Sequence, residues 1–206
     1  SPKDFEGKRY GCSGWPSELE ILKQVMESRG ADFKKVQIVY GITDFFSTIG
    51  KDVDFAWIYY GWDGVQAKLR GIELNYIPIR DLDPVFDYYT PVLIANDQLL
   101  NSEPELVKAF LEATGRGYAY CVQNPESAAE ILWKAVPELD KNQVKASLEY
   151  LKAEFISDAP QWGIQDISVW QNFADWMYKK HIIQRNLKAQ ELFTNEFLPN
   201  ATHTKS

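Results

Sequence analysis

The chain has 206 residues, 45% of them hydrophobic and 25% charged, the balance of a globular protein with enough residues for one large or two small cores. A net charge of −7 and a pI of about 5.0 argue against nucleic acid and against an anionic membrane surface as partners. No stretch approaches the roughly 20 apolar residues that a membrane span needs.

Residues 8–12 read as a first strand, and residues 16–29 as a helix whose apolar face is Leu19, Leu22 and Met26, widened by Ile21 and Val25 and closed by Gly30. A second strand follows at 36–40, a short helix at 43–49, a third strand at 55–60, a helix at 64–69 and a fourth strand at 74–79. This alternation predicts a parallel or mostly parallel sheet covered by helices. Residues 90–95 (TPVLIA) read as one more strand, and helices then take over. Ser102 with Glu105 forms a capping-box pattern for a helix to about 123, followed by helices at 125–136, 140–155 and 168–180 and a short one near 189–193. Trp133, Trp162, Trp170 and Trp176 fall in this half and read as packing anchors, and His181 as a residue at a helix C-terminus. The boundaries that follow are an α/β lobe at 7–86, a hinge strand with a helical part at 87–199, and a disordered tail at 200–206.

The chain holds 7 Trp, 11 Tyr and 11 Phe. Most pack in cores, but Tyr and Trp in loops also suit flat organic ligands. Cys12 and Cys121 read as buried free thiols. With His181 and His203 they form no zinc-type spacing, and no carboxylate-rich calcium loop is present, so neither a metal site nor a cofactor is expected.

In a parallel α/β sheet ligands collect where strand ends lead into helix starts. The loop at 12–18 offers Ser13 and Gly14 as donors to an acceptor and Trp15 as a turn-exposed ring; capping of the following helix is the structural alternative. The loop at 59–64 places Tyr59, Tyr60, Trp62 and Asp63 together. There Asp63 is either a helix cap or the acceptor for an amino group on a ring that a tyrosine of the loop stacks against. Tyr88 and Tyr89 mark a third candidate loop where the α/β half meets the helical half. Asp52 and Asp54 read as solvated turn residues. No GxxxxGK[ST], GxGxxG, GxSxG or HExxH pattern occurs, so no enzyme is expected.

The phrases DFEGKRYGCSG, KDVDFAWIYYGWDGVQAKLRGIELNYI, DYYTPVLIANDQLL and EPELVKAFLEATGRGYAYCVQNPESAAEIL, with the late QWGIQDISVWQNFADWMYKKHII and LFTNEFLP, resemble the thiamine-precursor-binding branch of the periplasmic-type binding proteins. The resemblance runs over residues 4–199. It implies the type II periplasmic-binding-protein-like α/β fold, with one complete lobe and the mostly helical C-terminal part of the other. It also implies an extracytoplasmic or lipid-anchored importer component that captures an aminopyrimidine between aromatic rings and delivers it to an ABC permease. Against the family, the βαβ stretch opening the first lobe is absent, which predicts self-association through an uncovered helical face. Carried over by position, the resemblance implies Tyr59 as the stacking ring and Asp63 as the acid, where relatives can have glutamate, with Glu18 as a second candidate acid. The alternatives are the same scaffold holding a sulfonate, nitrate or riboflavin-like solute and, more distantly, a pyrimidine-synthesising enzyme. Residues 11–18, 59–64 and 87–91 contain no Arg or Lys, which favours a neutral or amine-bearing ligand over an oxyanion.

Overall fold

In the computed structural model, which describes residues 1–42 and 44–199, three short strands form one parallel sheet in the order β2-β1-β3. The expected tail at 200–206, and Thr43 at the start of the expected short helix, lie outside the described residues. The chain divides into two compact units. The first comprises 1–64, 74–88 and 168–189, and the second comprises 65–73, 89–167 and the residues from 190 onward.

The first unit opens with β1 (Arg9–Cys12), α1 (Glu18–Glu27), β2 (Gln37–Tyr40), α2 (Phe45–Thr48) and β3 (Phe55–Ala56). The central strand β1 pairs Arg9 with Gln37 through Cys12 with Tyr40 on one side, and Tyr10 with Phe55 on the other. The helix α1 buries two adjoining stripes, because its apolar residues recur at one- and four-residue steps. Leu22 and Met26 join Tyr10, Cys12, Ala31 and Val36 in one cluster, whereas Ile21 and Val25 meet Phe86 and Trp176 in a second. The Ala31 amide then donates to the Met26 carbonyl at 2.9 Å, with Gly30 in the left-handed conformation (φ 70°) that ends helices at low steric cost.

Asp54, expected as a solvated turn residue, is the partner of Arg9. Its Oδ2 accepts the Arg9 amide at 2.9 Å and Nε at 3.2 Å, and its Oδ1 accepts Nη2 at 2.8 Å. The side-chain hydrogen bonds from Arg9, reinforced by its amide, hold the Asp54 carboxyl down to about 2.

Two expected strands are absent. Residues 74–78 run irregularly into a 3-10 turn at Ile79–Asp81, and residues 90–95 have no ladder partner among the described residues. An apolar run becomes a strand only where a neighbour accepts and donates along it, and Ile94 is 92% exposed here. The third strand stops at Ala56 because the chain curls into a single π turn at Tyr60–Gly64.

The second unit holds α3 (Val65–Leu69), α4 (Asp97–Ser102), α5 (Pro104–Gln123), α6 (Pro125–Ala135) and α7 (Lys141–Leu151). Ser102 ends α4 rather than capping α5, since Pro104 has no N–H to continue the first helix and occupies the first position of the next. Asn96 caps α4 by accepting the Leu99 amide at 2.8 Å, and Asp140 caps α7 by accepting that of Gln143 at 2.7 Å. Tyr118 stacks on Trp162 (4.7 Å between centroids), and Lys141 lies 4.3 Å over the Trp133 ring. Two of the expected Trp anchors thus pack as read.

The last long helix, α8 (Ile167–Lys179), returns almost wholly to the first unit. There Trp176 meets Phe86 edge-on at 5.2 Å and Phe173 stacks on Tyr88 at 4.2 Å. Beyond it His181 is left-handed (φ 58°), and its amide donates to the Tyr178 carbonyl, the geometry of a helix end. Cys12 is buried and Cys121 half-buried, both free.

Met26 is fully enclosed (0% exposed) where α1 meets the sheet. Met26→Ala is expected to lower unfolding free energy by about 2–5 kcal/mol, measured as a shift in the urea midpoint at unchanged slope.

Candidate functional site

Because the three strands are parallel, their carboxyl ends share one edge, and each end carries an exposed ring. Trp15 (72% exposed) follows β1, Tyr40 (67%) ends β2, and Tyr59 (65%) follows β3. These are the three most exposed large hydrophobic side chains of the first unit. Tyr40 is the site candidate that sequence reasoning missed, taken there as the last residue of a strand. The available signal was its position immediately before Gly41, which is left-handed at φ 79° and turns the chain at the strand end.

The β1–α1 loop is organised around Glu18, a carboxylate only 4% exposed. Its Oε1 accepts the Tyr10 hydroxyl at 2.8 Å and the Ser13 amide at 3.2 Å. Its Oε2 accepts the Ser13 hydroxyl at 2.7 Å, the Gly14 amide at 3.1 Å and the Trp15 amide at 3.3 Å. A carboxylate has about four lone-pair sites, so this set takes up its capacity. The donors expected on Ser13 and Gly14 are therefore directed inward at Glu18, while Trp15 points its ring away from the core. Burial pushes the Glu18 pKa up, but the bonds from Ser13, Tyr10 and the loop amides outweigh it and hold the group below the usual glutamate value. Burial likewise raises the Tyr10 phenol and the Cys12 thiol, so both stay neutral beside it.

In the β3 loop the Asp63 amide donates to the Tyr59 carbonyl at 2.8 Å, and Asp63 Oδ2 accepts the Tyr59 amide at 3.0 Å. Asp63 thus closes its own turn. Tyr60 packs against Tyr76 at 4.3 Å, and a Cβ on Gly64 would lie 2.3 Å from the Tyr60 ring, so glycine at 64 keeps that ring in place. Trp62 is 37% exposed.

Tyr88 is half-buried on Phe173, and its phenol is raised by burial and then by the neighbouring Tyr59. Tyr89 belongs to the second unit, where its hydroxyl accepts the Asp166 amide at 2.9 Å. The structure therefore gathers Ser13, Gly14, Trp15, Glu18, Tyr40, Tyr59, Tyr60, Trp62, Asp63 and Tyr88 in the first unit and assigns Tyr89 to the second. Among the described residues, no group of three or more His, Cys, Asp or Glu is placed to hold a metal ion.

A small parallel sheet flanked by helices, with exposed rings along its carboxyl edge, agrees with the periplasmic-binding-protein-like α/β class. The model of the family described as NMT1/THI5 like matches residues 1–128, and the chain belongs to that family.

Three curated relatives are similar over nearly all of the chain. A formylaminopyrimidine-binding protein from Halalkalibacterium halodurans is 25% identical over 95% of this chain and 61% of its own length. A riboflavin-binding protein from Chloroflexus aurantiacus is 26% identical over 98% of this chain and 59% of its own. A 4-amino-5-hydroxymethyl-2-methylpyrimidine phosphate synthase from Legionella pneumophila is 37% identical over 98% of this chain and 63% of its own. The chain thus spans about three-fifths of the length of these relatives. The expectation that it is no enzyme is corrected by the third of them, a protein named as a synthase. The expectation rested on missing catalytic templates, and a template describes only the reaction classes it was drawn from.

Since its folded pKa is depressed, Glu18 stabilises the fold fully above about pH 4.5, its ordinary value, and loses that contribution as pH falls through the lower folded value. The stability difference between the parent and Glu18→Gln is expected to be largest at neutral pH and to shrink steadily below pH 4.5. Urea midpoints across that range check it; a pH-independent difference would contradict the assignment.

Proposed function

We propose that this chain captures a flat, amine-bearing pyrimidine of the thiamine-precursor class, as the solute-binding component of an ABC importer that hands it to a permease outside the cytoplasm. The observation that carries this reading is the row of exposed rings, Trp15, Tyr40 and Tyr59, at the carboxyl edge of one parallel sheet. Rings of this kind hold a heterocycle by stacking. Asp63 turns Oδ2 to its own backbone, and its Oδ1 is the acceptor for the ligand's amino group. The absence of Arg and Lys from 11–18, 59–64 and 87–91 supports a neutral or amine-bearing ligand over sulfonate or nitrate.

A second reading, conversion of a pyrimidine rather than its capture, is favoured by the synthase from Legionella pneumophila. Mass spectrometry of ligand recovered after incubation separates the two. Unchanged pyrimidine supports capture, and an altered molecule supports catalysis.

Titration with aminopyrimidines is expected to quench tryptophan fluorescence through Trp15 and Trp62. Asp63→Asn should weaken binding by roughly 10- to 100-fold, the loss of a charged hydrogen bond. Tyr40→Ala should weaken it by about 2- to 10-fold through lost stacking. Silence towards every aminopyrimidine would overturn the reading. The exposed Leu106 and Phe110 on α5 support association between copies through this helix. Light scattering should show mass rising with concentration, and a monomer at all concentrations would remove that part.

A further inference from the structure

Three successive amides, from Ser13, Gly14 and Trp15, converge with the Ser13 hydroxyl on one buried carboxylate at the first residue of α1. Consecutive N–H groups converging in this way make a concavity that suits an anion, and a helix start adds positive potential. Gly14 makes the convergence possible. Its φ of 97° is left-handed, and no atom lies within 4 Å of where a Cβ would stand, so backbone conformation rather than space calls for glycine. The anion in this concavity is the chain's own.

We infer that Glu18 is a specificity-determining and positioning residue: it occupies the amide concavity of the β1–α1 loop as an internal anion and so excludes anionic ligands from the sheet edge. An oxyanion arriving there would need donors, and the candidate loops contain no Arg or Lys to supply them. The amides of Ser13, Gly14 and Trp15 and the Ser13 hydroxyl already terminate on Glu18, with the Tyr10 hydroxyl closing the set from below. A second negative charge placed beside a buried carboxylate also meets direct repulsion, unrelieved by any neighbouring cation in the loop. What the loop shows to a ligand is then the Trp15 ring. The inference rests on the reading of this edge as the ligand site and extends it to the class of ligand refused.

Glu18→Ala leaves the donors in place and removes their acceptor, so an added carboxylate or sulfate can fill the concavity. Thermal unfolding of the full chain in acetate, sulfate and chloride at matched ionic strength tests this, with Trp15 fluorescence as a second readout. The parent protein should show no saturable response to any of the three, only the graded, unsaturating rise that an excluded salt such as sulfate gives any fold. Glu18→Ala should melt lower and recover saturably in acetate or sulfate but not in chloride. Glu18→Gln, whose amide fills the space, should show no such recovery.

Saturable sulfate binding by the parent would overturn the inference, as would a folded Glu18→Ala protein indifferent to all three salts. If Glu18→Ala is unfolded, its refolding yield in acetate is the measurement, and no gain over chloride overturns the inference as well. Loss of pyrimidine binding in both variants at unchanged melting temperature would make Glu18 a direct ligand contact instead, also against the inference. None of the salt measurements uses a pyrimidine, so the failure of the capture reading is seen separately.

Discussion

A single carboxylate joins strand, loop and helix at the start of the first unit. Glu18 takes a hydroxyl from Tyr10 on β1, a hydroxyl and an amide from Ser13, and two further amides from Gly14 and Trp15. Buried at the first residue of α1, it would be costly to leave unpaired, and its partners would be costly to leave without it. The set therefore stands or falls together. It fixes the turn out of β1, the direction in which α1 leaves, and the outward placement of Trp15.

That turn matters because the sheet is parallel. Parallel strands must be joined by crossovers, so every strand leaves the sheet on the same edge and returns from the opposite one. Trp15, Tyr40 and Tyr59 each stand at or just past a strand end, and the topology brings them to a common border that no local pattern would reveal. Asp63 closes the last of these loops by accepting the Tyr59 amide. The core beneath is held by α1, whose two stripes serve two separate clusters.

Membership of the NMT1/THI5-like family, with relatives named for binding formylaminopyrimidine and riboflavin and another for pyrimidine phosphate synthesis, puts capture and catalysis on one scaffold. On such a scaffold the function is decided by the site rather than by the fold. The ligands named for the two binding relatives are both flat nitrogen heterocycles, which fits an edge built from rings and short of cations.

Much of this architecture was legible from the amino-acid order. Helical spacing of Ile21, Leu22, Val25 and Met26 identified α1, the strand-like runs at 8–12 and 36–40 identified β1 and β2, and loop aromatics flanking glycines marked the candidate site. Local pattern alone could not decide which apolar runs become strands. Residues 74–79 and 90–95 carry strand-like apolar runs, yet a strand exists only when another segment supplies the paired backbone groups. Nor could it assign hydrogen bonds between distant residues. Arg9 finds Asp54 across 45 positions, and Glu18 turns from a candidate ligand contact into an internal acceptor only when the loop folds over it. Periodicity, turn residues and side-chain chemistry act over a few positions and were determined by the sequence itself. Strand pairing, the common edge of rings and the fate of each buried charge were decided by the tertiary structure, because each depends on which distant groups are brought within a few ångströms.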